Sequence, residues 1–86
     1  MPVFGDSMAP AYEPGHTLYV DPSRPVSPGD DVVIVFDDWD ALVKRLVRRT
    51  HDKITVRQFN PEQEIEFETS RVKRLDLVVG SLRIRV

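Results

Sequence analysis

Two residues in this chain have types and settings that suit nucleophilic attack on an amide. Ser7 stands in Gly5-Asp6-Ser7-Met8-Ala9-Pro10, where Gly5 admits backbone conformations that other residues resist and Pro10 fixes the chain direction. A serine hydroxyl is a weak nucleophile and needs a base within reach. The two histidines, His16 and His51, lie in no triad-like setting. Lys44 sits in Leu42-Val43-Lys44-Arg45-Leu46, an apolar run that would hold an amine neutral. A neutral lysine can take the serine proton, so Ser7 with Lys44 is the candidate pair. Taken singly, a turn serine is more often structural and a lysine more often solvated. The pairing therefore needs support from the rest of the chain.

That support is an ordered set of short motifs. Gly5-Asp6-Ser7-Met8 with Pro10 is followed by Gly15, Pro28-Gly29-Asp30-Asp31-Val32-Val33, Val43-Lys44-Arg45-Leu46, Asn60-Pro61 and Val78-Val79-Gly80. In this order they resemble the LexA-like family, the peptidase domain of LexA, UmuD and self-cleaving phage repressors. The resemblance implies a mostly β fold with at most one short helical turn, after Ser7. It implies Ser7 as nucleophile and Lys44 as general base of a Ser-Lys dyad, 37 positions apart. It places the oxyanion on backbone N–H groups of Asp6 and Ser7. Met8 and Pro10 shape the turn, and Asn60 borders the cleft. His16 departs from the Asp that the family commonly carries after Gly15. Type I signal peptidases are a second comparison. They share the Ser-Met and Lys-Arg motifs, but here Arg48-Arg49-Thr50-His51-Asp52-Lys53 replaces the apolar run and Gly-Asp segment expected after Lys-Arg.

The 86 residues make at most one domain, 1–86. With 41% hydrophobic and 30% charged residues, the composition is that of a soluble globular domain. A formal charge of −2 gives no general attraction to nucleic-acid phosphates. DNA binding, if the parent has it, is expected from an absent N-terminal domain. There are no cysteines, so no disulfide and no thiolate metal site. No metal or cofactor is expected, and the setting is expected to be cytoplasmic. No stretch approaches the ~20 apolar residues that span a bilayer, and the first residues lack a leader's basic and apolar regions. The motifs begin so near Met1 that the chain is expected to be a piece of a longer repressor.

The elements that must carry the pair read mainly as strands. Thr17–Val20 is β-branched and aromatic. Asp21 to Pro28, with three prolines, is a loop. Asp31–Phe36 has five consecutive apolar residues and reads as a strand buried on both faces. Asp37, Asp38 and Asp40 form a solvated turn. Residues 39–49 are ambiguous. Leu42, Val43, Leu46 and Val47 fit one face of a helix, whereas alternation puts Leu42, Lys44 and Leu46 together. Periodicity leans to helix; the resemblance implies a strand, and the strand reading is followed. His51–Lys53 is a turn, and Ile54–Phe59 pairs back as a hairpin. Glu62–Ser70 contains a short edge strand around Ile65 and Phe67. Leu75–Val86 is a strand with a bulge or bend at Gly80. Arg45, Arg48 and Arg49, clustered with Lys44, read as a solvated basic face, with Glu62, Glu64, Glu66 and Glu68 as countercharge.

The implied activity is autocleavage of the parent chain within an SOS-type response, stimulated by an activated recombinase filament. The other reading is a catalytically silent module that dimerises a DNA-binding partner domain through the strand Leu82–Val86.

Overall fold

A run such as Val32-Val33-Ile34-Val35-Phe36 leaves no polar face, so a strand built from it must be covered on both sides. In the computed structural model, which describes Met8 and residues 16–83, that run is the centre of the sheet. All five residues are buried, none more than 8% exposed. The strands are β1 (His16–Asp21), β2 (Asp31–Phe36), β3 (Ala41–Arg49), β4 (Lys53–Phe59), β5 (Glu62–Glu68) and β6 (Val72–Arg83). They form one six-stranded sheet in the order β1-β6-β2-β3-β4-β5, antiparallel at every junction. Thr69–Arg71 is a 3-10 turn, and it is the only helical element among the described residues.

Residues 39–49 are therefore not a helix: from Ala41 onward they are strand. The apolar residues that suggested a helix face, Leu42, Val43, Leu46 and Val47, belong to a strand flanked by β2 and β4. An interior strand needs apolar side chains on both faces, which mimics helical spacing over a short run. β5 lies at the edge of the sheet, as its glutamate-rich sequence suggested. Asp6, Ser7 and Pro10, and the helical turn expected after Ser7, lie outside the described residues.

The two faces of the sheet have separate cores. Val32, Ile34, Phe36, Leu46, Ile54 and Val56 form one, with Val26, Ile65, Phe67, Val72 and Leu75 packed against it. Leu18, Val33 and Val35 form the other, with Val20, Ala41, Val43 and Val78. Phe36 on β2 and Phe67 on β5 meet edge-on with centroids 5.1 Å apart, although two strands separate them in the sheet. The sheet therefore curls over its first core. Register shifts interrupt three ladders, at Tyr19/Val20, Val35/Phe36 and Leu46/Arg48, and such bulges sharpen the local twist. The first of these lies opposite Val79 and Gly80, where the sequence suggested a bulge.

Thr55 is buried along with Ile54 and Val56. One detail differs from the sequence reading. The glutamates of β5 pair with β4, as Lys53–Glu66 at 3.6 Å and Arg57–Glu62 at 3.7 Å, rather than with Arg48 and Arg49. Exposed pairs of this kind contribute little to stability.

Leu46 is 1% exposed at the heart of the first core. Leu46→Ala should cost about 2–5 kcal/mol in urea unfolding. Gly29 has φ +95° and open space where a Cβ would stand. Gly29→Ala should therefore cost about 1–2 kcal/mol through backbone strain alone, without a clash.

Candidate active site

Lys44 lies in the middle of β3 and pairs in register with Val32. Cross-strand partners share a face, so Lys44 stands with Val32, Ile34 and Leu46. It is 4% exposed. Burial lowers its proton affinity below the ordinary lysine value of 10.5, because an ammonium loses more hydration than a neutral amine. Leu42, expected beside it, is 37% exposed, so the apolar surround on this stretch comes more from β2 and Leu46 than from Leu42.

The backbone around Lys44 is held on two sides. The loop before β2 grips Leu46: its C=O accepts from Gly29 N–H at 2.8 Å, and its N–H donates to Asp30 O at 2.8 Å. That loop is itself closed, since Asp30 N–H donates to Ser27 O at 3.0 Å and Ser27 N–H donates to Asp30 Oδ2 at 2.8 Å. The positive φ at Gly29 makes the turn possible. Arg45 forms a two-point ion pair with Asp31, Nε to Oδ1 at 2.7 Å and Nη2 to Oδ2 at 3.2 Å. Its guanidinium also lies 4.8 Å from the Phe59 ring centroid. Partly buried bidentate pairs of this kind hold geometry as well as adding energy.

Arg45 is thus not part of a solvated basic face together with Lys44. The two side chains point to opposite faces of β3, and Arg45 is engaged by Asp31. Sequence reading missed this clamp and the grip on Leu46. The Pro28-Gly29-Asp30 turn was visible, but its partner on β3 depends on the hairpin register.

The other expected site residues are distributed as follows. Met8, next to Ser7 in the chain, is buried at 2% exposure. Asn60 is exposed in the turn after β4, three residues beyond Arg57, which pairs with Arg45. The Asn60–Pro61 peptide bond is cis. Asp6, Ser7 and Pro10 fall outside the described residues. Asp76 is a buried carboxylate, 3% exposed, with Oδ2 accepting from Arg74 Nε at 3.0 Å. It pairs in register with Val33 and so stands on the face away from Lys44.

Comparison with known proteins adds the following. The Peptidase S24-like family model matches residues 1–78. Repressor protein C of Rhizobium phage 16-3 is 40% identical over 76 residues, covering 79% of this chain and 29% of that protein. Prophage repressor CohE of Escherichia coli (strain K12) is 44% identical over 46 residues, covering 52% of this chain and 20% of that protein. The chain thus spans less than a third of the length of either relative. No solved structure matches it significantly. The match over residues 1–78 and the all-β sheet agree: this chain belongs to the Peptidase S24-like family.

Proposed function

We propose that this chain is the C-terminal domain of a phage-type, LexA-like transcriptional repressor, with Ser7 and Lys44 as a Ser-Lys dyad that cuts the parent chain. The observation that carries the reading is a lysine buried in a clamped strand with its proton affinity lowered. Neutral Lys44 Nζ takes the Ser7 Oγ proton as Oγ attacks the scissile carbonyl carbon. Backbone N–H groups of Asp6 and Ser7 stabilise the oxyanion. The C–N bond breaks as Lys44 returns the proton to the leaving amine. Water, activated by the same amine, then hydrolyses the acyl-serine.

An extended substrate has a place to lie. The β3–β4 ladder begins at Arg45, so Ala41, Leu42 and Val43 have a strand neighbour on the β2 side only, among the described residues. The family's Ala-Gly and Cys-Gly cleavage sites do not occur in this chain; Phe4, Pro14, Pro28 and Val79 precede its glycines. The cut therefore falls in a segment of the parent beyond these residues, and DNA contact belongs to an N-terminal domain of that parent. An activated recombinase filament is the proposed stimulus, and the cytoplasm the proposed setting. Among the described residues no helix is long and apolar enough to cross a membrane.

A second reading, a silent dimerisation module, is favoured by one feature of β6. Its ladder with β2 ends at Leu77, whereas β1 continues to pair with it through Arg83. From Val78 to Arg83 it therefore has a partner on one edge only, among the described residues. Leu82 and Arg83, the start of the strand expected to dimerise, are paired with β1 on the occupied edge. Residues 84–86 lie outside the described residues.

Cleavage of the full-length parent, followed as a two-fragment pattern on gels, should accelerate as pH rises through the lowered range of Lys44 and level off below 10.5, because the neutral amine is the active form. Ser7→Ala and Lys44→Arg should each abolish it, the latter because arginine stays charged. A rate that shows no rise with pH anywhere below 10.5 would remove Lys44 as base. The same lowered proton affinity makes a stability prediction. Between the lowered value and 10.5 the unfolded chain binds more protons than the folded one, so stability should rise with pH in that window. Lys44→Met should flatten the rise in urea titrations at successive pH values. For the assembly reading, sedimentation of this chain should show a dimer that survives Ser7→Ala; a monomer at high concentration excludes it.

A further inference from the structure

The turn between β2 and β3 carries a feature unrelated to the proposed dyad. Trp39 has φ +71°, a conformation that a bulky side chain adopts under strain and that glycine would adopt freely. Its indole is 66% exposed, so burial within this chain does not offset that strain. Lys73 Nζ lies 4.6 Å from the ring centroid, which steadies the indole.

Asp38 and Asp40, on either side of Trp39 in the turn, line a cleft of about 370 Å³. Phe36, Leu42 and Phe67 supply its apolar lining, and Asp38, Asp40 and Arg71 its polar rim. The cations here already have ring partners, Lys73 on Trp39 and Arg71 over Phe36 at 5.9 Å. Among the described residues the carboxylates of Asp37, Asp38 and Asp40 form no ion pair; Asp38 Oδ1 only accepts from the Asp40 N–H at 3.0 Å. A ring contact leaves these cations charged, but the cleft is lined by two carboxylates, Asp38 and Asp40, against the one guanidinium of Arg71, so its net charge is negative. That disfavours nucleic acid or an anionic membrane and suits a cationic side chain, whose methylenes would cover Leu42 and Phe67 while its head reaches Asp38 and Asp40.

We propose that Trp39 and the adjoining cleft form a docking surface for a lysine- or arginine-bearing peptide segment of a partner protein. Trp39 is the anchor, and the aspartates of the turn select for positive charge. Exposed aromatic anchors beside a pocket are the usual centres of binding energy in protein interfaces. The proposal does not depend on Ser7 or Lys44, and its test reads no cleavage.

Trp39 is the chain's one tryptophan, so its emission reports this surface alone. Titration with an acetylated, amidated hexapeptide alternating leucine and lysine should shift that emission saturably. The leucine–glutamate counterpart should leave it unchanged. With a fluorescein-labelled copy of the basic peptide, anisotropy should show binding weakened tenfold or more by Asp38→Asn with Asp40→Asn, and likewise by Trp39→Gly. Trp39→Gly relieves the positive φ, so its melting temperature should hold or rise, which separates lost docking from lost folding. Glu64→Gln, on the β5 edge, should leave the affinity as it was. Four results would overturn the proposal. They are no saturable change, equal binding of the acidic peptide, an equal loss from Glu64→Gln, and an emission shift with protein concentration alone. The last would assign the surface to a second copy of the chain.

Discussion

Desolvation of one amine is the constraint on which the rest of this structure turns. An ammonium gives up strong hydration when it leaves water, so a chain that buries a lysine must confine the backbone that carries it. Here the confinement is local. Both main-chain groups of Leu46 are bonded to the Gly29–Asp30 turn, and Arg45 is pinned to Asp31. A β3 released from either could rotate its side chains toward solvent, and Lys44 would recover an ordinary proton affinity. The chemical character of Lys44 is thus a property of the strand and its two restraints, more than of the residues beside it in sequence.

The restraints depend in turn on the shape of the sheet. A flat six-stranded sheet could not bring Phe36 on β2 against Phe67 on β5 across two intervening strands. The register shift at Leu46/Arg48, in the β3–β4 ladder between them, adds twist, and the shift at Val35/Phe36 re-aims Phe36 itself. The curl closes one core over β2, β4 and β5, and that core is the apolar surround that Lys44 shares. A small domain can therefore dehydrate a charged side chain without a second layer of helices.

Much of this was legible in the sequence because it is written in alternation. The doubly buried β2 and the acidic edge strand β5 follow from composition alone. The path of β3 does not: Leu42, Val43, Leu46 and Val47 satisfy a helix and a two-faced strand equally, and only the motif resemblance separated them. The Asp31–Arg45 clamp was not legible, since residues 14 apart meet only once the hairpin register is known. The shifts at Val35/Phe36 and Leu46/Arg48 are equally silent, because a bulge answers to the curvature of the whole sheet; only the one opposite Gly80 was marked, by that glycine. Nor did the sequence offer a reason for a tryptophan at positive φ in a turn that contains no glycine. The catalytic setting of Ser7 rests on the motifs around it.

The charges of the chain also bear on how it can associate. Seven of its 14 acidic residues gather in two exposed places, the β5 strand and the turn from Asp37 to Asp40. Along β5, Glu62, Glu64, Glu66 and Glu68 are only partly answered by Lys53 and Arg57. A second copy adding to that edge would set glutamates against glutamates, which costs energy directly across a strand pair. The overhanging part of β6 bears no such row, and Val79 beside it is 48% exposed. Like-charge repulsion thus disfavours the β5 edge for any pairing of sheets, and the backbone free of such a row is that of the β1 edge and of the β6 overhang from Val78 to Arg83.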